Sequence, residues 1–137
     1  MTQKILCAID NTDHAKPAID MASDMAKRLG VPLTFCTVNV LTGGMRGPAI
    51  YMQDDSVLEK ALEAAVATAR KAGTKEVHST LLKARDVAVS IVQYADQNGF
   101  DHIVTGTGGK GSLTRFALGS VATDVMNRAH CPVTIAR

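Results

Sequence analysis

Tryptophan is absent from this chain, and only two tyrosines and three phenylalanines occur in 137 residues. None of them is interleaved with basic residues, so the stacking platforms that bind single-stranded nucleic acid are missing. Charge of one sign is missing too: the net formal charge of +2 points to no polyanionic partner. No apolar run approaches the roughly 20 residues of a membrane-spanning helix, so no membrane insertion is expected. The three cysteines, Cys7, Cys36 and Cys131, are an odd number without a CxxC pair, which excludes a disulfide framework. Cys7 and Cys36 sit inside apolar runs and read as buried free thiols. The four histidines, His14, His78, His102 and His130, have no metal-ligand spacing. Met1-Thr2-Gln3-Lys4 leads straight into a strand-like run, so no signal peptide is read and a cytoplasmic protein is expected.

The rest of the composition describes an ordinary globular chain. Hydrophobic residues make up 46% and charged residues 20%, which predicts one domain over 1–137 with a single core. Lys4 to Asp10 is a short continuous apolar run ending in an acid, as in a strand covered on both faces. Asn11-Thr12-Asp13 supplies turn and cap chemistry. Ala15, Ala18, Ile19, Ala22, Met25, Ala26 and Leu29 then recur at helical spacing, with Pro17 in the first turn and Gly30 as the stop. The methionines at 21 and 25 read as core packing.

Val31 to Val40 is the second predicted strand. Leu41 to Asp54, with Gly43, Gly44, Gly47 and Pro48, reads as a long irregular connection, either a functional loop or an insertion. A helix starting at Asp54-Asp55-Ser56 carries Val57, Leu58, Leu62, Ala65, Val66, Ala69 and Ala72 on its apolar face and ends at Gly73. Val77 to Lys83 is a third strand. Asp86 caps a third helix bearing Ala88, Ile91, Val92 and Ala95. Phe100 to Thr105 is a fourth strand, about Ser120 to Arg128 a last helix, and Cys131 to Ala136 a fifth strand. Strands alternating with helices predict an α/β fold, an open parallel sheet with helices on both faces. Ligands of such sheets sit beyond the carboxyl ends of the strands, where strand order reverses. Asp10, Val38 and the loop at Gly106 are all such ends and can share one crevice.

That loop is the most informative stretch. Gly106-Thr107-Gly108-Gly109-Lys110-Gly111 holds four glycines in six positions, and a backbone so stripped of side chains can bring its N–H groups against an anion. Gly119-Ser120 opens the last helix, whose free N–H groups and dipole also favour an anion. The P-loop pattern fails because Gly109-Lys110 is followed by Gly111. The dinucleotide pattern GxGxxG matches at Gly106, Gly108 and Gly111, but about eight residues separate it from the helix it should open. Asp10 is open to a second reading, as the cap of the following helix. Lys110 and Arg115 read equally as phosphate ligands or as solvated loop charges.

A third pattern fits without a gap: glycine, two residues, glycine, nine residues, glycine, then Ser or Thr. Gly106, Gly109, Gly119 and Ser120 satisfy it. With the opening run to Asp10, Val38 at the second strand end, and the closing Cys131-Pro132-Val133-Thr134-Ile135-Ala136, the chain resembles the universal stress protein family along essentially its whole length, in its small single-domain form. The resemblance implies a Rossmann-like five-stranded sheet of order 3-2-1-4-5 and a site for ATP, or for ADP or AMP; a magnesium ion brought by the nucleotide could touch Asp10 and Asp13. Asp10 and Val38 would lie by the adenine, Gly106 and Gly109 by the ribose and phosphates, and Gly119 and Ser120 against the phosphates, with Lys110 adding charge. It also implies a homodimer in which the last strand, an apolar sheet edge, pairs with its copy. The chain departs from the family pattern at Ala84-Arg85-Asp86, where similar proteins often carry a glycine and a proline. Two functions stay open: a regulatory ATP-binding module whose downstream protein partner the sequence does not name, and a slow ATP hydrolase or phosphoryl-transfer enzyme. No nucleophile–base pair is legible for the second. A nucleotide-free interaction protein is a third reading, which the intact glycine pattern disfavours.

Overall fold

Strand β1 (Ile5–Ala8) shows why the opening run is apolar without alternation: all four of its residues are buried. Ile5 and Cys7 enter one hydrophobic cluster, and Leu6 and Ala8 enter another on the opposite face. A computed structural model describes residues 1–108 and 118–137 of the chain. In order, it has β1, a 3₁₀ turn (Asp13–Ala15), α1 (Lys16–Leu29), β2 (Leu33–Gly43), β3 (Ala49–Tyr51), α2 (Asp55–Lys71), β4 (Val77–Ala84), α3 (Val87–Gln97), β5 (His102–Gly106), α4 (Ser120–Arg128) and β6 (Val133–Ala136).

Five strands are parallel and stand side by side as β4-β2-β1-β5-β6. Numbered among themselves, these five read 3-2-1-4-5. The expected total of five is corrected to six. The stretch read as irregular contains β3, which runs antiparallel to the far end of β2 with Leu41 opposite Tyr51 and Gly43 opposite Ala49. The second strand therefore does not stop at Val40. It overshoots the sheet and folds back as a hairpin.

Helices α1 and α2 cover one face, through Ala18, Ala22, Ala26, Leu62, Ala65 and Ala69 against Ile5, Leu33, Phe35 and Val104. Helices α3 and α4 cover the other, through Ala88, Ile91, Ala95 and Val125 against Leu6, Cys36 and Ile103. Alanines on the helices let them lie close to the large β residues. Each large buried side chain contributes about 1.5–3 kcal/mol. Met25 packs against the first cluster, but Met21 and Val57 are exposed, so neither belongs to the core. Cys7 and Cys36 are buried free thiols.

The helix ends follow their sequence signals. Gly30 closes α1 at φ +66°, its N–H reaching Ala26 O and Lys27 O while Val31 N bonds Ala26 O, the left-handed cap that glycine makes cheap. Asp86 caps α3 by accepting from Val89 N at 3.0 Å. The departure at Ala84-Arg85-Asp86 is thus carried by an aspartate cap, and Arg85 Nη1 braces the β2–β3 hairpin by donating to Gly43 O at 2.9 Å. Among the described residues, no helix is long and apolar enough to cross a membrane.

Candidate functional site

The carboxyl ends of β1, β2 and β5 open on one cavity of about 580 Å³, a size typical of small-ligand sites. It lies where strand order reverses, since β1 is flanked by β2 on one side and β5 on the other. Asp10, Val38, Gly106, Gly119 and Ser120, all expected at the site, line it together. Gly109 and Lys110, also expected there, lie outside the described residues, as does Arg115.

The β5–α4 end of the cavity is built from backbone. Gly108 turns the chain at φ +77°, and Gly119 N donates to Thr107 O at 2.6 Å, closing the loop at its neck. The two arms cross so tightly that a Cβ on Gly119 would lie 2.8 Å from Gly108 O and 3.0 Å from Thr107 O. On Gly106 it would meet His14 O at 3.2 Å. These glycines therefore have a packing reason that the sequence pattern does not distinguish from close approach to a phosphate. Helix α4 begins at this neck with Gly119 as its N-cap, and among the described residues no side chain caps its N-terminus. Ser120, Val121 and Ala122, which carry its first N–H groups, all line the cavity. Uncapped donors at the positive end of a helix dipole favour an anion.

The β1–β2 end is built from side chains. Asp10 Oδ1 accepts from Thr12 N at 3.0 Å and from Thr12 Oγ1 at 2.6 Å. Thr12 in turn caps the 3₁₀ turn by accepting from His14 N. Asp10 is thus one step removed from the helix cap considered for it. Its second oxygen has no hydrogen bond among the described residues and stays available on an exposed side chain. Val38, Val40, Met52 and Leu58 give this end apolar walls.

Asn39 falls inside the second predicted strand, beside Val38, and no site reading attached to it. It is fully buried. Its Nδ2 donates to Gln53 O at 2.7 Å and to Asp55 Oδ1 at 3.0 Å, and its Oδ1 accepts from Gln53 N at 3.2 Å. Asp55 also pairs with Lys83 Nζ at 2.8 Å. The Lys83 hydrogen bond, reinforced by Asn39, holds the Asp55 carboxyl below its ordinary range, and Asp55 holds the Lys83 ammonium above its own. The segment after β3 is thereby strapped across the end of β2. A polar residue within the apolar strand run was the available signal, because a buried amide has to find partners. Asn11, Thr12, His14, Met52 and Gln53 also line the cavity and carried no motif. Cys36 lies in the wall, its thiol pushed up to about 12 by burial, which makes it an inert packing group. Among the described residues, no group of three His, Cys, Asp or Glu is arranged to hold a metal ion.

The model of the universal stress protein family matches residues 1–137. The universal stress protein YxiE of Bacillus subtilis is 30% identical over 148 residues, with both chains fully covered. A universal stress protein from Archaeoglobus fulgidus superposes with a TM-score of 0.80 at 28% identity over the whole of both chains. A structure of the Archaeoglobus fulgidus universal stress protein in complex with dAMP has a TM-score of 0.74 at 31% identity, with 98% of each chain covered. A match over every residue, in a fold whose switch-point cavity gathers the motif's described members, establishes that the chain belongs to the universal stress protein family.

Proposed function

We propose that this chain is a regulatory module that binds an adenine nucleotide, with ATP as its ligand, in the cavity at the strand ends. The observation that carries the reading is the polarity of that cavity. Apolar side chains at the β2 end suit a base, and uncapped N–H groups of α4 at the β5 end suit phosphates. The relative solved with dAMP, similar over 98% of its chain, supports the same ligand class. Ser120, with the N–H groups of Val121 and Ala122, would hold phosphate oxygens, and Asp10 and Val38 would flank the base. Magnesium would arrive with the nucleotide. Calorimetry with ATP, ADP, AMP and dAMP tests the reading. Saturable binding that strengthens from AMP to ATP is expected, and no binding of any of the four would overturn it. Release of nucleotide from the purified protein, identified by mass spectrometry, would name the natural ligand.

Turnover is a separate matter. No general base is legible in the sequence, so hydrolysis should run far below the ~10 s⁻¹ median of enzymes. Metal-dependent hydrolysis near that rate would move the reading to an ATP hydrolase or phosphoryl-transfer enzyme.

The same reading includes a homodimer through β6. This strand ends the sheet and has no neighbour on its outer side among the described residues. Ile103 N donates to Pro132 O, and Ile103 pairs in register with Val133. In a parallel ladder the next inward N–H is then that of Thr134, while Val133 and Ile135 turn theirs to the open side. Ile135→Pro should therefore abolish pairing between copies and spare the monomer, whereas Thr134→Pro should weaken the monomer itself. Light scattering at micromolar concentration decides it: a monomeric mass for the unmodified protein refutes the dimer.

A further inference from the structure

Gln53 is held twice over in ways that separate its backbone from its side chain. Both backbone groups are bonded by the buried Asn39, at 2.7 Å to its carbonyl and 3.2 Å to its N–H. Its side chain instead runs to the cavity rim, where Gln53 Oε1 accepts from Asn11 Nδ2 at 2.9 Å. Asn11 follows β1 and Gln53 follows β3, so the bond joins two different walls of the same cavity. Both side chains are exposed. The Asp55–Lys83 pair and Met52 N on Val40 O at 2.9 Å fix the chain on either side of Gln53. What can move here is one carboxamide on an immobile backbone, and it sits at the base end of the cavity.

We propose that the Asn11–Gln53 hydrogen bond is a latch across the mouth, which opens to admit the nucleotide and closes again over it. This rests on the nucleotide reading above and adds a kinetic role to two residues that no motif singles out. The latch is the same bond with and without ligand, so it sets the rates of entry and exit and leaves the equilibrium between them nearly untouched. The side chains need not touch the ligand.

The test is stopped-flow binding of a fluorescent ATP analogue to the full chain and to Gln53→Ala, Asn11→Ala and the double variant. Each single change should raise association and dissociation rates together by about threefold to tenfold, the factor set by one ordinary net hydrogen bond. The double variant should behave like either single one, because only one bond is there to remove. Unchanged rates overturn the latch while leaving the nucleotide site in place. So does faster dissociation alone with additive effects in the double variant, since that pattern belongs to residues that grip the ligand. Absence of saturable binding in the unmodified protein overturns the nucleotide reading and the latch with it. Thermal melting of each variant, expected to fall by no more than a few degrees for the loss of one net hydrogen bond, keeps a folding defect apart from a kinetic one.

Discussion

The two ends of the cavity are made by opposite means. At the β5–α4 end the protein has removed side chains: Gly108 and Gly119 let two stretches of backbone cross, and the helix that follows starts at a glycine, with no side-chain cap among the described residues. At the β1–β2 end it has spent side chains: Asp10, Thr12, Asn11, Asn39 and Gln53 tie loops to strand ends with hydrogen bonds. A backbone neck has almost no freedom to accommodate a substitution, because neither carbonyl nor Cα can swing aside. A side-chain strap loses one partner at a time. A site that must present rigid N–H donors to an anion gains from the first, and one that must admit a flat apolar group gains from the second.

The largest expected effect is on the backbone neck. Gly119 has φ −66°, so a larger residue meets no dihedral penalty. The whole cost comes from contacts with Gly108 and Thr107 backbone atoms at 2.8–3.0 Å. Gly119→Val should destabilise by about 3 kcal/mol, the upper end of ordinary overpacking, and should abolish nucleotide binding by pushing the start of α4 away from the cavity. Urea unfolding and calorimetry measure the two losses. A variant of unchanged stability would show that the neck is softer than its contacts require.

Next comes the strap. Asn39→Leu keeps the branched shape at a larger volume and removes both bonds to the Gln53 backbone and the one to Asp55. The Gln53 groups are near the surface and water can reach them in part, so a loss of about 2 kcal/mol is expected. Faster amide exchange should be confined to residues 49–55. If the neck exchanges faster as well, the two ends are mechanically one unit and the contrast between them fails.

How much of this was readable before folding follows the same division. The parallel sheet was legible because β1 is a continuous apolar run, because strand-like and helix-like segments alternate, and because Gly30 and Asp86 mark helix ends by chemistry that acts locally. The hairpin of β2 and β3 was not. Ala49, Ile50 and Tyr51 are exposed, so no buried face imposes alternation, and Pro48 beside three nearby glycines reads as loop. Asp10, Val38, Gly106, Gly119 and Ser120 were readable as a set because a fixed spacing and the strand ends converge. Asn39 was not, because its role depends on Gln53, 14 residues away and brought back only by the hairpin. Gly119 was found for an incomplete reason: its spacing suggested phosphate approach, and the crossing with Gly108 that also demands glycine exists only in three dimensions.

A smaller effect, with a defined pH dependence, is expected from Asp55 and Lys83. The Asp55 pKa is lowered in the folded state, so its contribution is present above the unfolded value of ~3.9 and is lost as pH falls through the folded one. The Lys83 pKa is raised, so its contribution is present below its unfolded value of ~10.4 and is lost as pH rises through the folded one. Both groups are solvent-exposed, and the pair should shift the melting temperature by only a degree or two. The difference between the unmodified protein and Lys83→Gln should therefore be flat near neutrality and vanish at both extremes. A difference that persists at pH 2 would mean that Lys83 acts through Tyr51, whose ring centroid lies 5.1 Å from its ammonium, rather than through Asp55.

The smallest effect on stability, and the sharpest test of the neck as an anion site, lies at Ser120. Its side chain makes no hydrogen bond to the described protein and is exposed, so Ser120→Ala should leave stability within about 0.5 kcal/mol. If its hydroxyl holds a phosphate oxygen, ATP affinity should fall by about fivefold, the scale of one net hydrogen bond. Ser120→Pro goes one step further at the same place. Proline is at home in the first position of a helix, where its missing N–H has no intrahelical partner. The residue before it, Gly119, already has the extended φ −66° and ψ 163° that a following proline demands. Ser120→Pro should consequently fold as well as Ser120→Ala while lacking one further donor aimed at the cavity. The gap in ATP affinity between these two variants isolates a single backbone N–H of the helix start. A further loss in the proline variant, absent when adenosine replaces ATP, is the expected result. Equal affinities for ATP would mean that the Ser120 N–H holds no phosphate and leave that role to the N–H groups of Val121 and Ala122.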